Sequence, residues 1–514
     1  MNGLSKSRYT DFCQCPKNLW MNVFKYNEAV VDPAVEARLK QGSKVGVLAR
    51  GLFGSFVDVT TKNPDDSLDL TAMVDLTQKE MARGTNNICE ASFALDDNYC
   101  AVDILRRNGD GWDIYEVKDS SYSLVTGKPS EIEVYAPDIA YQKWLMVKCG
   151  IKVVNTYLVC LNSDYVRHGA MNLNELFVIV DMKVLVDNEY LKVTDRIREA
   201  TQVLACKQEP YVDLSMNCHE PYNCAFFDYC KRQHGVPFPS VFNLYGGMGR
   251  GSFTFRKKLD YYHRGQISFE QLRGQLIGPI QDMQIESTLT GKKFINPSGI
   301  REFLDKLYYP LYFLDFETMQ DAVPQYDDAK VYAQIPFQYS LHIKPSDTAP
   351  YDHKEYLAPS DGKDPRQALA KQLCLDIPMD VCTVAYNKQF ECGRIRELAM
   401  LYPDLSDHLQ NIADHIVDLI DPFRAGDYYV PAMGGSFSIK SVLPALFPDD
   451  TELNYHNLDE RCQNGGDAMN LFPRIKNMPQ AEAKACREAL LDYCKLDTWA
   501  MVKVWEKLRE MAKN

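Results

Sequence analysis

Residues 99–118 read YCAVDILRRNGDGWDIYEVK, and this stretch decides how the first part of the chain is interpreted. Two runs of β-branched and aromatic residues flank an Asn-Gly-Asp-Gly turn signal, a pattern typical of a β-hairpin. Side chains two apart on a strand share a face, so Glu116 and Lys118 point the same way, and a neighbouring strand can bring Asp103 beside them. Two carboxylates and a lysine on one sheet face suit a hard cation that activates water. A surface hairpin with an ordinary salt bridge is the alternative.

The length and composition of the chain limit the class of protein. Its 514 residues exceed one ordinary domain, so we expect two or three domains of a globular soluble protein. No apolar stretch is long enough to span a bilayer, and the N-terminal residues lack the apolar core of a signal peptide. We therefore expect a cytoplasmic protein with no membrane partner, in which the 16 cysteines do not form a disulfide framework.

The charge of the chain bears on nucleic-acid binding. The formal net charge is −13, which argues against a protein coated with positive charge that binds nucleic acid indiscriminately. A local basic groove remains compatible with this value. Clusters of catalytic carboxylates would add negative charge of their own, which bound cations would offset.

Three further segments extend the candidate site around the hairpin. Residues 88–95 are predicted as a strand that carries Glu90, and residues 153–161 as a strand with an apolar run. Residues 134–149 have apolar positions at helical spacing and carry Gln142. We expect this helix to pack over the strand pair, which would bring Gln142 towards the acidic residues.

Cysteines at regular spacing indicate a metal site near the end of the first domain. Five residues separate successive members of the set Cys218, Cys224 and Cys230. Three ligands are one short of a closed tetrahedral site, so a fourth is expected from elsewhere. Cys15 is the best candidate, and Pro16 after it indicates that it lies near a helix start within residues 5–26; Cys13 and Cys206 are alternatives. A chance cluster of small apolar residues is the competing interpretation.

The middle of the chain has a different composition. The glycines and prolines around residue 235 and the glycines from 246 to 251 mark a boundary. Apolar residues then continue at helical spacing, which favours short amphipathic helices over a disordered linker. We therefore divide the chain into residues 1–235, a helical connector at 236–305 and a C-terminal domain at 306–514.

The C-terminal domain contains a second group of acidic residues. Residues 308–318 are predicted as an apolar strand with Asp315 and Glu317 on one face. Residues 481–507 are predicted as a long amphipathic helix in which Tyr493 and Asp497 lie four apart and share a face. Taken alone, Tyr493 fits a half-buried core position; the acidic strand makes it a candidate site residue.

Residues 1–235 resemble the RecB-like nucleases of the PD-(D/E)XK superfamily, in particular the iron–sulfur branch that includes the CRISPR-associated RecB-like exonucleases and the AddB nuclease domain. The family's Asp, Glu-x-Lys and helical Gln match Asp103, Glu116, Lys118 and Gln142. The resemblance implies a restriction-endonuclease-like fold in which Asp103 and Glu116 hold Mg²⁺ or Mn²⁺ with the backbone carbonyl of Val117. Lys118 would orient or help deprotonate the attacking water, and Gln142 would position Lys118 or the water.

The resemblance extends to the cysteines. The family places one cysteine before the nuclease core and three after it, which matches Cys15, Cys218, Cys224 and Cys230. This implies a structural 4Fe–4S cluster, although four thiolates also suit zinc, and the second and third cysteines are closer together in the usual pattern. Many relatives carry a metal-binding histidine on an early helix; residues 42–46 contain none, and Glu90 is the candidate replacement.

Residues 306–514 resemble an RNase H-like DEDD exonuclease. The family's Asp-x-Glu strand and Tyr-x-x-x-Asp helix match Asp315, Glu317, Tyr493 and Asp497. Its second motif matches Asn387-x-x-Phe390, but Glu391 stands where the family has aspartate. The resemblance implies that the carboxylates hold two cations about 4 Å apart, with Tyr493 orienting the nucleophilic water, for 3′→5′ digestion.

Both resemblances imply metal-dependent cleavage of phosphodiester bonds, and their pairing resembles a little-characterised bacterial family. We therefore expect a Mg²⁺- or Mn²⁺-dependent exonuclease that acts on DNA, single-stranded or with free ends, in repair, processing or defence. An RNA-processing exonuclease is one alternative. A non-catalytic nucleic-acid-binding scaffold with a degenerate C-terminal site is another.

Overall fold

The computed structural model describes residues 3–30, 33–247 and 252–513, with side chains described for all of these except 33–40. The chain divides into two compact units. The first comprises Met1–Gly235 and Asp321–Ala333, and the second comprises Val236–Gln320 and Gln334–Asn514. Both are mixed α/β, as the sequence predicts. In the described residues, no helix combines the length and apolar composition that crossing a bilayer requires.

A single sheet organises the first unit. Its strands are β1 (Leu4–Ser5), β2 (Val57–Asp58), β3 (Asn87–Leu95), β4 (Asn98–Asn108), β5 (Gly111–Tyr122), β6 (Val153–Asn162) and β7 (Phe177–Asp181). The order is β2-β3-β4-β5-β6-β7, with β1 pairing the start of β4. Strands β3, β4 and β5 are antiparallel neighbours, while β5 and β6 are parallel. The predicted hairpin is therefore β4–β5, in the middle of the sheet.

The helices of the first unit cover this sheet. They are α1 (Lys6–Gln14), α2 (Pro16–Phe24), α3 (Pro33–Ala49), α4 (Leu70–Arg83), α5 (Pro129–Ile132), α6 (Ala136–Lys148), α7 (Leu173–Leu176), α8 (Lys183–Ala205) and α9 (Phe227–Gln233). The single helix predicted at 5–26 is two helices, because Pro16 at the first position of α2 forces Cys15 into an extended conformation. On the core side, the rings of Tyr9 and Tyr141 stack at 4.8 Å and join α1 to α6.

Residues 321–333 belong to the first unit although they connect two strands of the second. Ala322, Val323 and Val331 are buried in the same hydrophobic cluster as Val45. The backbone of Arg167 exchanges hydrogen bonds of 3.0 and 2.8 Å with this segment. The segment is thus a packed part of the first core.

The second unit contains a five-stranded sheet and a two-stranded one. Its strands are β8 (Phe294–Ile295), β9 (Leu311–Gln320), β10 (Gln334–Lys344), β11 (Asp352–Leu357), β12 (Cys382–Ala385), β13 (Ile416–Asp418) and β14 (Tyr428–Tyr429). The large sheet has the order β11-β10-β9-β12-β13, and β14 pairs with β8. Strands β9, β12 and β13 are parallel, and β10 is antiparallel to both neighbours. Strand β9, which carries Asp315 and Glu317, is the central strand.

Eleven described helices belong to this unit. They are α10 (Phe255–His263), α11 (Phe269–Leu272), α12 (Pro279–Thr290), α13 (Pro297–Leu304), α14 (Arg366–Asp376), α15 (Gln389–Leu401), α16 (Ser406–Asp414), α17 (Asp421–Ala425), α18 (Ile439–Leu446), α19 (Gly465–Ile475) and α20 (Gln480–Ala512). The predicted connector at 236–305 contains short helices but is part of this compact unit, since Ile300 and Phe303 lie in its main core.

Helix α20 is fixed over the central strands by apolar and polar contacts. Trp505 packs its ring 5.7 Å from that of Phe313 on β9. The side chain of Gln338 on β10 donates a 2.8 Å hydrogen bond to the carbonyl of Leu490. These contacts hold the middle of α20 above the acidic residues of β9.

Candidate functional sites

The first site lies where β4 and β5 separate. Their pairing ends at Ile104 and Tyr115, so the next residues of each strand, Asp103 and Glu116, have no backbone partner across the pair. The carboxylate of Asp103 takes the place of that partner and accepts a 2.7 Å hydrogen bond from the backbone N–H of Val117. The separation therefore brings the two predicted carboxylates to the same point.

Glu116 is the centre of this site and is 1% exposed. Its Oε1 accepts hydrogen bonds from Lys118 at 2.6 Å and from Lys6 at 2.8 Å. Its Oε2 accepts from the side-chain amide of Gln142 at 2.6 Å. The four residues predicted to be catalytic in this site are therefore gathered, together with Lys6, which was not predicted.

Helix α6 contributes a further carboxylate. Asp138 is one turn before Gln142, and its Oδ1 accepts a 3.1 Å hydrogen bond from that amide. Its Oδ2 accepts from Lys118 at 2.8 Å, and Lys6 lies 3.7 Å away. Two lysines thus stand among three carboxylates, those of Asp103, Glu116 and Asp138.

The charges of this site shift its pKa values in opposite directions. Burial and the neighbouring charge of Glu116 raise the pKa of Asp103 to about 7. Burial also opposes ionisation of Glu116, but the ammonium groups of Lys118 and Lys6 outweigh it and hold the pKa of Glu116 well below its ordinary value. Burial acts to lower the pKa of Lys118, yet Asp138 and Glu116 raise it well above the usual range. Glu116 is consequently ionised and neutralised by lysine.

Glu90 lies beside this site on β3. The flanking pairs in the β3–β4 ladder place it across from Asp103. Its φ of +57° is unusual for a residue with a side chain, and such strained positions cluster at functional sites. Its Oε1 accepts a 2.9 Å hydrogen bond from Arg50, which also pairs with Asp58. The carboxylate predicted as a replacement metal ligand is therefore engaged by an arginine.

The structure brings together the four predicted cluster cysteines. Cys15, at the break between α1 and α2, lines one small cavity with Cys218, Cys224 and Cys230. Burial raises the pKa of Cys224 to about 11, and the thiols of Cys218 and Cys15 add to this shift. The two alternatives lie elsewhere: Cys13 is beside Tyr9 and Arg196, and Cys206 is exposed.

The second site is a cavity of about 360 Å³ between the central sheet and α20. Its lining includes all five residues predicted for this domain, namely Asp315, Glu317, Glu391, Tyr493 and Asp497. Strand β12 pairs with β9 only as far as Phe313, so the acidic part of β9 extends beyond it. The turn after β12 and the start of α15 therefore lie beside Asp315 and Glu317.

A lysine that lines the cavity and a second tyrosine bonded to Asp497 complete the site. Lys440, at the start of α18, donates a 3.3 Å hydrogen bond to the hydroxyl of Tyr493 and is the only described lysine or arginine in the lining. Tyr455 donates a 2.5 Å hydrogen bond from its hydroxyl to Oδ1 of Asp497. The two tyrosines and the lysine hold the helical half of the site in place.

Glu391 lies in the first turn of α15 and is 3% exposed. The turn before it is fixed by Asp418, which accepts hydrogen bonds from the backbone N–H groups of Asn387 at 2.8 Å and Lys388 at 3.1 Å. Burial raises the pKa of Glu391 to about 8, and the charge of Asp418 adds to it. Oε2 of Glu391 is buried and has no hydrogen-bond partner among the described residues.

The carboxyls of the second cavity crowd one another. Burial, followed by the charge of Asp497, raises the pKa values of Asp315 and Glu317 well above their usual range. Burial also raises the pKa of Asp497, against the hydrogen bond from Tyr455. Buried like charges of this kind are stabilised by cations, so the arrangement can hold divalent metal.

Five residues at these sites were not predicted from the sequence: Lys6, Asp138, Lys440, Tyr455 and Cys494, whose Sγ lies 3.9 Å from Oδ2 of Asp315. Asp138 had a usable signal, since it lies four residues before Gln142 on the same helix. Lys440 follows a Gly-Gly-Ser turn and lies in the first turn of the helix after it. This turn was a second sequence signal that could have drawn attention to the lysine. Lys6 and Tyr455 have no local pattern, because distant strand pairing and loop packing place them.

Comparison with known families gives a match to part of the chain. A family model described as a domain of unknown function, DUF2779, matches residues 312–438. No curated protein matches the chain. The matched span contains Asp315, Glu317 and Glu391 but ends before α20, so it covers the strand half of the second cavity. The chain is therefore similar, over the region that builds this half of the site, to a domain family without an assigned function.

Proposed function

We propose that the protein is a divalent-metal-dependent nuclease that hydrolyses phosphodiester bonds of DNA, with one active site in each unit. The observation that carries the proposal is the cavity of the second unit, where the half-buried Asp315, three buried carboxyls and a tyrosine hydroxyl face one space of about 360 Å³. Burial and neighbouring carboxylates raise the pKa values of Asp315 and Glu317. A bound cation would stabilise the ionised forms of these carboxyls, which supports a metal site in this cavity.

In the second site, the side chains have separable roles. Asp315, Glu317 and Asp497 would hold the cations, with Glu391 reaching the same space from α15. Divalent cations at such a site activate the attacking water and stabilise the leaving oxygen. The hydroxyl of Tyr493 would orient the water, and the ammonium group of Lys440 lies close enough to favour a phosphate in the cavity.

In the first site, Asp103 and Glu116 would hold the cation, and Lys118 would orient the water. Their hydrogen bonds favour this assignment, because Glu116 is ionised and therefore ready to accept a metal ion. Lys6 and Lys118 neutralise this carboxylate at 2.8 and 2.6 Å. Displacing one lysine by a cation would free an ammonium group for the substrate phosphate.

The four cysteines fit a 4Fe–4S cluster better than a single zinc ion. Zinc with four thiolates at about 2.3 Å holds its sulfurs about 3.8 Å apart. Among the described residues, no three of these cysteine sulfurs all lie within 4.8 Å of one another. A cluster bound by Cys15, Cys218, Cys224 and Cys230 would join α2 to α9 and stabilise the first unit.

Nuclease assays on the full chain test the proposal. Anaerobically purified protein would be given labelled single-stranded DNA, duplex DNA with free ends, or single-stranded RNA, with Mg²⁺ or Mn²⁺. Lys118→Ala should remove cleavage by the first site and Asp315→Asn cleavage by the second, while the double variant should be inactive. Lys143→Ala and Asp352→Asn are matched controls, since both positions lie outside the two sites.

The products separate the alternatives. Stepwise shortening of DNA from an end supports the exonuclease assignment, and preference for RNA would make the protein an RNA-processing enzyme. Wild-type protein that binds DNA but never shortens any strand with either cation would overturn the proposal and leave a binding scaffold.

A further inference from the structure

A cysteine thiol lies within the acidic cluster of the second site. Among the described residues, the only set of three or more His, Cys, Asp or Glu ligand atoms that all lie within 4.8 Å of one another is Asp315, Glu317 and Cys494. Cys494 is fully buried, and its Sγ is 3.9 Å from Oδ2 of Asp315. It precedes Asp497 by three residues on α20, so both side chains face β9.

The spacing of these atoms suits a small tetrahedral cation. Zinc binds cysteine sulfur at about 2.3 Å and carboxylate oxygen at about 2.0 Å, which places sulfur and oxygen about 3.5 Å apart. Sγ of Cys494 lies 3.9 Å from Oδ2 of Asp315. Small rotations of the two side chains would bring these atoms to the spacing that zinc requires. Carboxylates alone favour Mg²⁺ or Mn²⁺, whereas a thiolate shifts preference towards Zn²⁺.

An independent feature of the cavity also indicates a ligand. Glu391 is 3% exposed, lines the same cavity, and has an Oε2 atom that no donor reaches among the described residues. A buried carboxylate oxygen without a donor is costly, and a cation in the cavity would remove that cost. The unsatisfied oxygen therefore indicates, independently of the three gathered atoms, that this cavity takes a cation.

We propose that Asp315, Glu317 and Cys494 bind a thiophilic divalent cation such as Zn²⁺, and that the second site takes this cation in preference to Mg²⁺. The proposal rests on the proposed function only in placing a divalent cation in this cavity. On binding, the thiol releases its proton to solvent and the thiolate sulfur becomes a ligand. Zn²⁺ would thus compete with Mg²⁺ for the same carboxylates.

Cobalt titration of the full chain tests the proposal, because Co²⁺ reports thiolate ligation by a near-ultraviolet charge-transfer absorption. Wild type, Cys494→Ser and Cys486→Ser would be compared. Cys486 is a buried cysteine on the same helix that is not part of the set formed by Asp315, Glu317 and Cys494, so it is the matched control. Difference spectra cancel the absorption of the other cysteines, which all three proteins share.

Cys494→Ser should lack one component of this absorption. It should also bind Zn²⁺ at least about tenfold more weakly, because removing even a residue that only hydrogen-bonds a metal ligand lowers metal affinity by about this factor. Cys486→Ser should match wild type. Asp315→Asn keeps the thiol and should lose the same component, which provides a second test if Cys494→Ser fails to fold. Identical spectra and Zn²⁺ affinities for wild type, Cys494→Ser and Asp315→Asn would overturn the proposal.

The cobalt titration and the nuclease assay test the metal site and the proposed function independently. Thiolate-ligated Co²⁺ in a protein that cleaves no nucleic acid would support the metal site and remove the proposed function. Mg²⁺-dependent cleavage at the second site without any Cys494-dependent absorption would keep the function and overturn the thiophilic site.

Discussion

Lys6 and Glu116 are 110 residues apart in the sequence, yet Nζ of Lys6 lies 2.8 Å from Oε1 of Glu116. The contact follows from the pairing of β1 with the start of β4, which delivers the first residue of α1 to the point where β4 and β5 separate. Lys6 is therefore a positioning residue for Glu116 and a second ammonium group in the first site.

Replacing Lys6 should change metal affinity at the first site. Lys6→Met removes an ammonium group that competes with a cation for Glu116, so we expect Mn²⁺ to bind about 3- to 10-fold more tightly. Lys6→Arg should bind Mn²⁺ as wild type does. Calorimetry in an Asp315→Asn background isolates this site, and Lys143→Met is the control. Weaker or unchanged Mn²⁺ binding by Lys6→Met would contradict the assigned role.

The hydroxyl of Tyr455 should matter through Asp497. Tyr455→Phe removes a 2.5 Å hydrogen bond to this carboxylate, and we expect the metal affinity of the second site to fall about tenfold. Tyr351→Phe removes a 2.7 Å bond to Glu506 of the same kind outside the cavity. Each substitution should lower the free energy of unfolding by about 1–2 kcal/mol. Equal metal affinities in the two variants would show that Tyr455 has only a structural role.

Glu391 should contribute to cleavage at the second site and should lower the free energy of unfolding of the protein. Glu391→Gln should lower cleavage by the second site about 100-fold, and Glu391→Asp should be milder because it keeps the charge. Since this buried carboxyl lacks a full set of partners, the neutral Gln should raise the free energy of unfolding by about 1 kcal/mol. Cleavage kinetics and thermal unfolding measure the two effects, and full activity of Glu391→Gln would exclude Glu391 from the site.

The cysteine site makes a chemical prediction. Protein purified without oxygen should be brown and contain iron and acid-labile sulfide, and Cys224→Ser should lose the colour and become less soluble. Cys149→Ser, in the same unit but away from this cavity, should keep both. Colourless wild-type protein with stoichiometric zinc would instead identify a zinc site.

His342 should make the second unit sensitive to acid. It is buried, its Nδ1 lies 2.8 Å from Oγ1 of Thr498, and burial together with the charge of His353 lowers its pKa to about 3. A pKa lowered by folding means that the unfolded chain binds a proton which the folded chain excludes. The stability from neutral His342 is therefore complete above pH 6.5 and is lost as the pH falls, by about 2 kcal/mol between pH 7 and pH 5.

Urea unfolding at pH 7 and pH 5 measures this effect. His342→Asn should reduce the loss of stability at pH 5 by about 2 kcal/mol relative to wild type. The exposed His456→Asn is the control and should follow wild type. The same loss in all three proteins would show that other groups cause the acid sensitivity.

Local patterns predicted the parts of the sites that lie on one element. Asp315 and Glu317 share a strand face, and Tyr493 and Asp497 share a helix face, because the periods of two and 3.6 residues fix these relations. Pro16 indicated a helix start beside Cys15, but the single helix predicted at 5–26 is broken there. Lys6 could not be predicted, because its position depends on a two-residue strand that pairs with a distant partner.

The same limit applies to the segment at 321–333. Its sequence lies between two strands of the second sheet, and only long-range packing assigns it to the first unit. Likewise, apolar residues recur at helical spacing within 236–305, which predicts helices there. Whether these helices form a separate connector or join a core depends on contacts with residues distant in the sequence, and here they join the core of the second unit.

The assignment of residues 321–333 to the first unit has a consequence for synthesis. When residue 235 leaves the ribosome, the nascent first unit still lacks buried Ala322, Val323 and Val331, so the hydrophobic cluster around Val45 stays incomplete. It completes folding only after all of the connector and β9 have been made. A gene fragment that stops at residue 235 should therefore express as an aggregation-prone intermediate, and supplying the 321–333 segment through a short fused linker should rescue its solubility.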